Sequence, residues 1–249
     1  MDPAGPAAVG GNKHSWHHTS VENYGVIVLL TKLSTEDRLI GLSMLMTLVG
    51  IILGAIFANP NFIGFTAILV ILLLLIGWRF TKSQRLAWLL VFGLIAGILE
   101  LWSDWIHVTQ IKSLVYTNYF GFRLLASPSY MPIGWWLTTV QFGYIALRLN
   151  ERWSSWAAVG VVTLLGMSLP PLYEEFAAPA KAWYYPPSGV MISNTPLWVI
   201  LTYGGCMFGI ATMALINYRP HAWGRAVIAG IFTGGLFMLS GVLFFELLG

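Results

Sequence analysis

Long apolar runs dominate the chain from residue 38 to its C-terminus. Seven of these runs are close to 20 residues long, the length of helix that crosses the hydrocarbon core of a bilayer. The predicted spans are residues 38–58, 62–80, 86–105, 130–149, 155–173, 195–216 and 225–248. The first is preceded by Ser34-Thr-Glu-Asp37, a pattern typical of a capping box at a helix start. The pattern predicts an all-α integral membrane protein with seven transmembrane helices.

Composition supports a membrane protein rather than a soluble one. Hydrophobic residues make up 57% of the chain and charged residues only 9%, whereas a soluble domain carries about 25% charge. Mean hydropathy is +0.73. Residues 1–34 are polar and rich in glycine and proline at their start, so we expect a disordered or interfacial tail before a single membrane domain at 35–249. One cysteine, Cys206, excludes a disulfide framework and a cysteine metal site.

Lysine and arginine are divided unequally between the two sides of the predicted bundle. Three lie beside the long connections at 106–129 and 174–194: Lys112, Arg123 and Lys181. Ten lie on the side of the tail and the short connections: Lys13, Lys32, Arg38, Arg79, Lys82, Arg85, Arg148, Arg152, Arg219 and Arg225. Since basic residues stay on the cytoplasmic side, we expect a cytoplasmic N-terminus, an outward C-terminus, and a multi-pass protein of the plasma or inner membrane.

Acidic residues collect at the opposite, outward helix ends. Glu100, Asp104 and His107 are spaced i, i+4 and i+7, so they share one face of the third helix. Glu174 and Glu175 follow Leu169-Pro-Pro171, which we expect to kink or end the fifth helix. Because a carboxylate in hydrocarbon costs roughly 2.5–3.5 kcal/mol on insertion scales, these side chains should face a cavity. All five are candidate catalytic residues, with Glu174 favoured over its neighbour.

Several uses of this acidic stripe remain open. Neighbouring carboxyl groups in an apolar site retain a proton near neutral pH, which suits acid–base catalysis. Two carboxylates and a histidine are also able to ligate a divalent metal. A third interpretation, without chemistry, places Asp104 and His107 in the headgroup layer as solvated helix ends. Acid–base chemistry without a metal is the preferred hypothesis.

Aromatic residues crowd the outward side. Bands of tryptophan and tyrosine are normal at a membrane interface, but ring faces also line cavities that hold an apolar or cationic group. Asn194, just before the sixth span, offers a hydrogen bond to a substrate. The candidate substrate-binding residues are Tyr116, Trp135, Trp183, Tyr184, Tyr185, Asn194 and Trp198.

The two outward connections repeat one order of features. Each follows an apolar helix with acids, then has a tyrosine-containing segment, Val115-Tyr116 or Trp183-Tyr-Tyr185, and then a proline that opens the returning helix, Pro132 or Pro196. This order predicts an internal repeat of a helix pair.

That order resembles the small membrane proteins of carotenoid biosynthesis, namely the membrane lycopene cyclases and the related carotenoid hydratases. The resemblance covers roughly residues 97–200. The cyclases have a characteristic Pro-x-Glu-Glu segment, and Pro171-Leu-Tyr-Glu174-Glu175 is one residue longer. The resemblance implies proton-initiated chemistry on an isoprenoid double bond, with Glu174 or Glu175 as the acid and aromatic rings shielding a carbocation.

The sequence therefore predicts a membrane enzyme that cyclises, hydrates or isomerises a lipid-soluble, isoprenoid substrate. Glu100 and Glu174 or Glu175 would act as acid and base, with Asp104 and His107 relaying protons. We expect membrane lipids as neighbours, no nucleic acid partner, and no cofactor, since phosphate-loop and dinucleotide fingerprints are absent from the sequence. The alternatives are a proton- or cation-coupled transporter and a metal-binding subunit of a larger membrane complex.

Overall fold

A computed structural model of the chain describes residues 33–117 and 121–249. Ser34–Gly249 form one compact unit. Its seven long helices are α1 Thr35–Ile56, α2 Asn61–Thr81, α3 Gln84–Trp105, α4 Met131–Asn150, α5 Ser155–Ala177, α6 Leu197–Asn217 and α7 Trp223–Leu248. The all-α prediction is confirmed, and six of these helices are long and apolar enough to cross a membrane. Most of the predicted tail at 1–34 lies outside the described residues.

The remaining long helix, α4, is not among the six helices apolar enough to cross a membrane, because its middle is polar. It carries Thr138, Thr139 and Gln141, yet residues 139–144 are all buried in the bundle. Gln141 donates from its amide nitrogen to Ser43 Oγ on α1 at 3.1 Å. A helix enclosed by other helices need not be apolar throughout, since its polar groups find partners inside the protein.

Short polar segments set the ends of the helices. The predicted capping box is confirmed: Ser34 Oγ accepts from the Asp37 amide, and the Asp37 carboxylate accepts from the Ser34 amide at 2.9 Å. Pro196 immediately precedes α6, where a missing N–H is tolerated. The fifth helix does not end at residue 173 as predicted. It continues past Pro171 to Ala177, whose side chain is fully buried against neighbouring elements.

Glycines bring α3 close to its neighbours on two sides. A Cβ added at Gly97 would clash with the backbone of α4 at Pro132 and Trp136. A Cβ added to Gly230 of α7 would lie 2.5 Å from Ile95 Cβ of α3. Small residues permit such close approach between membrane helices. The C-terminal part of α3 is therefore enclosed between α4 and α7, and this is the part that carries the acids.

Three short strand pairs organise the connections that follow α3 and α5. β1 (Val115–Tyr116) pairs antiparallel with β4 (Trp183–Tyr184), which ties the two connections together. Each connection also ends in a hairpin, and the strands of the two hairpins are β2 Arg123–Leu124 with β3 Ser127–Pro128, and β5 Met191–Ile192 with β6 Thr195–Pro196. These strands cover the end of the bundle where the predicted site residues lie.

Candidate functional site

Two carboxyl groups lie together at the C-terminal end of α3. Glu100 and Asp104 are 2% and 6% exposed, and their carboxyl groups interact with each other. Both line a cavity of about 70 Å³. They are one helical turn apart, and the close approach of α4 and α7 removes both from lipid. The structure thus contains a buried carboxyl pair beside an enclosed space.

The connections hold Asp104 in place. Its Oδ2 accepts hydrogen bonds from the Tyr116 hydroxyl at 2.5 Å and from Ser127 Oγ at 2.6 Å. Both donors belong to the connection between α3 and α4, with Tyr116 on β1 and Ser127 on β3. β1 in turn pairs with β4 of the connection that follows α5. Burial and the nearby Asp104 raise the pKa of the Tyr116 hydroxyl well above its ordinary value, so it remains a neutral donor.

Glu100 is less fully engaged than Asp104. Its Oε2 is buried and has no hydrogen-bond partner among the described residues. Its carboxyl group otherwise interacts with Asp104 and with the indole of Trp135. Buried polar atoms nearly always have a partner, and an exception calls for an explanation. In the same cavity, Nε2 of His107 is also buried and without a partner among the described residues.

Glu174, at the end of α5, is just as buried but fully satisfied. It is 3% exposed; Oε2 accepts from Trp183 Nε1 at 2.6 Å, and Oε1 accepts from the hydroxyls of Tyr203 at 3.0 Å and Tyr185 at 3.2 Å. All three donors line the cavity of Glu100. Burial and the Glu174 carboxylate raise the pKa of Tyr185, which keeps its hydroxyl protonated. Glu174 therefore lies behind the aromatic wall of the cavity and orients it.

Two stacked rings connect the two acids. Tyr203 donates to Glu174 and stacks on Trp135 with ring centroids 5.6 Å apart, and Trp135 interacts with Glu100. Tyr203 is not among the site residues predicted from the sequence. It lies within an apolar run of α6, and its role follows only from the helices it touches.

Glu175 points away from the cavity. Its carboxylate accepts from Ser193 Oγ at 2.9 Å and from the backbone and side-chain amides of Asn194 at 3.0 and 2.9 Å. It fixes the hairpin before α6. Asn194 is exposed and bonded to this acid, and Tyr184 is 44% exposed. The structure does not bring these three predicted site residues, Glu175, Tyr184 and Asn194, to the cavity of Glu100.

His107 lines the cavity but is not part of the carboxyl pair. It lies in a π-helical turn, Ile106–Gln110, which breaks the regular spacing assumed for a shared face. Its ring stacks on Trp198 at 5.1 Å, and Nδ1 bonds to Ser113 Oγ at 2.8 Å. A Cβ added at Gly241 would lie 2.5 Å from Nε2, so that nitrogen faces α7.

Metal ligands do not converge here. Within residues 33–117 and 121–249, no three side chains among histidine, cysteine, aspartate and glutamate are placed to hold a metal ion. The metal-binding alternative for Glu100, Asp104 and His107 gains no support from this arrangement.

Most of the predicted aromatic residues do surround the acids. Tyr116, Trp135, Trp183, Tyr185 and Trp198 all line the cavity that contains Glu100. A second, larger cavity of about 140 Å³ adjoins it between α1, α2, α4, α5 and α6. The site is therefore an acidic pocket with aromatic walls next to an apolar chamber.

Comparison with known proteins gives a family without an assigned activity. Residues 101–248 match the family described as Domain of unknown function (DUF6989). The chain belongs to this family. The match includes Asp104 and Glu174 and runs from the end of α3 through α7. No curated protein and no solved structure matches the chain, so the resemblance to carotenoid-biosynthesis proteins stays a prediction.

Proposed function

We propose that this chain is an integral membrane enzyme that moves protons to and from a carbon–carbon double bond of a lipid-soluble, isoprenoid substrate. The observation that carries the proposal is the unpaired Oε2 of Glu100, buried beside Asp104 in an aromatic-walled cavity. Two adjacent carboxyl groups in a site sheltered from water retain one proton between them. That proton is the reagent.

The proposed reaction starts with protonation of the substrate. Protonated Glu100 donates its proton to one alkene carbon, the π electron pair becomes the new C–H bond, and a cation forms on the other carbon. The faces of Trp135 and Trp183 stabilise this cation. A second double bond of the substrate then attacks it to close a ring, or the cation persists without ring closure.

The reaction ends when a base removes a proton from a carbon next to the cation. The carboxylate pair of Glu100 and Asp104 takes that proton, and the C–H electrons form the new double bond. Product and substrate have the same atoms, the carboxyl pair is restored, and no oxidant or reductant is required. Addition of water to the cation, followed by proton loss to the pair, would instead give a hydrated product.

We propose a positioning role for Glu174. It accepts hydrogen bonds from Trp183, Tyr185 and Tyr203 and so sets the angles of three rings in the cavity wall. This differs from the role that the resemblance implies, in which Glu174 or Glu175 is the acid. Full engagement of both Glu174 oxygens supports the positioning role.

The proposed orientation places this site at the outward face, with the N-terminus in the cytoplasm. Its support is the distribution of basic residues, ten against three. At the end opposite the site, Arg148 pairs with Asp37 at 2.9 Å and Arg85 pairs with Glu151 at 2.6 Å. Cysteines introduced singly at exposed Arg152 and Tyr184, in a Cys206→Ser background, should react with an impermeant maleimide from opposite sides of the membrane. Labelling of both from one side would rule the orientation out.

We also propose that α3–α4 and α5–α6 are a repeated unit. The two hairpins support it, since each has a residue with positive φ at its turn, Leu125 at 53° and Ser193 at 54°. In each unit an acid near the helix end reaches the hairpin, Asp104 to Ser127 and Glu175 to Asn194.

The function is tested by lipid analysis of an isoprenoid-producing host. Cells expressing the wild type, Glu100→Gln or Glu246→Gln are extracted and compared by mass spectrometry. Glu246 is the control, because it is an exposed acid near the end of α7. We expect the wild type and Glu246→Gln to convert one isoprenoid, whereas Glu100→Gln should not. If the reaction is a cyclisation or an isomerisation, the product has the same mass as its substrate. Extracts that are identical in all three strains, combined with uptake that depends on Glu100, would favour the transporter instead.

A further inference from the structure

The cavity of about 140 Å³ beside the acidic pocket is an apolar chamber that the proposed proton transfer does not involve. It lies between the α1–α2 hairpin and α4, α5 and α6, with a volume of about 140 Å³, and all its lining residues are uncharged. Six of them are aromatic: Tyr130, Trp135, Phe142, Tyr173, Trp183 and Tyr203. Such a lining accepts hydrocarbon and rejects a charged headgroup, since an unpaired charge in an apolar enclosure is expensive.

The chamber and the acidic pocket share a wall. Met131, Trp135, Trp183 and Tyr203 line both. A group bound in the chamber therefore touches the same rings that surround Glu100.

We propose that the chamber holds the unsaturated end of an apolar chain while a double bond of that chain reacts at Glu100. This rests on the proposed function and names the part of the substrate that the protein recognises. A cavity of roughly 150 Å³ in a protein interior binds a benzene-sized molecule. The chamber thus holds a terminal group of about six carbon atoms, with the remainder of the chain outside it.

The aromatic lining favours an alkene over a saturated chain at the step that forms charge. Both kinds of chain end gain the burial of their area, but only an alkene acquires a positive charge, and that charge is attracted to ring faces. Trp135 and Trp183 line both spaces. Discrimination against the acyl ends of bilayer lipids is therefore expected in turnover rather than in binding.

Gly134 provides a way to close the chamber without disturbing its walls. It lines the chamber from α4, and a Cβ added there meets no atom within 4 Å. A leucine at this position extends into the space that the ligand would occupy. Gly160 on α5 is a matched control, because it is exposed and a Cβ added there also meets nothing within 4 Å.

The probe is geranylgeraniol that carries a diazirine on its last isoprene unit. It is photolysed with the purified full-length protein in detergent, and labelled peptides are identified by mass spectrometry. We expect labelling of chamber residues such as Ile51, Ile63 and Thr138 in the wild type, Gly160→Leu and Glu100→Gln. In Gly134→Leu this labelling should fall about ten-fold or more. That is the smallest loss of binding expected when a side chain occupies the space of the ligand.

Further arms make the result decisive. Thermal unfolding of Gly134→Leu checks its fold, and Thr138→Phe closes the same chamber from one turn away if that variant is unstable. Excess geranylgeraniol should compete with the probe. The chamber assignment would be overturned by full labelling of folded Gly134→Leu and Thr138→Phe, or by labelling confined to exposed residues such as Leu45 and Leu69. If Glu100→Gln kept both the labelling and the turnover of the wild type, the proposed function would be wrong, while the chamber assignment would still stand.

Discussion

Glu100 on α3 and Glu174 on α5 are almost equally buried, at 2% and 3% exposure, yet their surroundings differ. Both oxygens of Glu174 accept hydrogen bonds, whereas Oε2 of Glu100 has no partner in the described part of the chain. Burial alone therefore does not separate a reacting carboxyl group from a supporting one. We propose that the unpaired oxygen marks Glu100 as the acid that meets the substrate. Glu174, which lines a separate cavity of about 380 Å³ with Tyr184 and Asn194, orients the aromatic wall.

The largest effect is expected from Glu100→Gln. The amide has nearly the shape of the acid but no transferable proton, so turnover should fall by about 10²–10⁴-fold while the fold is retained. Turnover of the altered isoprenoid by purified protein measures this, with Glu246→Gln as the control. A Glu100→Gln variant with wild-type turnover would contradict the proposed difference in role between Glu100 and Glu174.

Asp104→Asn should have the next largest effect. The asparagine keeps an oxygen for Tyr116 and Ser127 but cannot share a proton with Glu100, so we expect roughly a 10²-fold loss of turnover. Ser127→Ala removes one hydrogen bond and leaves the carboxyl pair, and its loss should be smaller. If the two variants were equally impaired, hydrogen bonding to the hairpin rather than proton sharing would be the role of Asp104.

Glu174→Gln should act mainly on stability. In glutamine an NH₂ group replaces one carboxylate oxygen and meets the hydrogen-bond donors that this oxygen accepted from. One buried donor is then left unpaired, which costs about 1–3 kcal/mol. A lower unfolding temperature in detergent, with turnover reduced less than in Glu100→Gln, is the expected result. Loss of turnover as deep as in Glu100→Gln, without a change in stability, would make Glu174 the reacting acid.

Tyr116→Phe tests the same contrast through pH. Because burial and Asp104 raise the pKa of Tyr116 above its ordinary value near 10, its hydroxyl stays protonated through mildly alkaline pH. The substitution removes one of the two hydrogen bonds to Asp104, so it should lower turnover and shift the alkaline limb of the pH–rate profile, which reports the carboxyl pair. An unshifted limb would show that the Tyr116 hydroxyl does not act on the pair.

The smallest effects belong to the residues that the structure separates from the cavity. Tyr184→Phe and Asn194→Ala should change stability by about 0.5 kcal/mol or less and leave turnover close to that of the wild type. Asn194→Ala retains its backbone bond to Glu175. A large loss of turnover in Asn194→Ala would return this residue to the substrate-binding set.

Several features could be predicted from the sequence because they depend on nearby residues. Span length, the capping box at Ser34 and the burial of Glu100 follow from local hydrophobicity and spacing. His107 lines the same cavity as Glu100 and Asp104, but its stacking on Trp198 could not be predicted, since that ring comes from another helix. Nor could the continuation of α5 past Pro171 to Ala177, which is buried against other elements.

The sequence by itself determined that this is a helical chain, apolar enough to cross a membrane, with Glu100, Asp104, Glu174 and Glu175 at one end, because hydrophobicity and charge act residue by residue. Only the tertiary structure decided which of these acids keeps an unpaired oxygen and which has both oxygens bonded. The donors to Glu174 come from a strand and from α6, and those to Asp104 come from β1 and β3 of the connection after α3. Hydrogen-bond partners brought from other elements leave no periodic trace near the acid, so spacing along one helix could not reveal them.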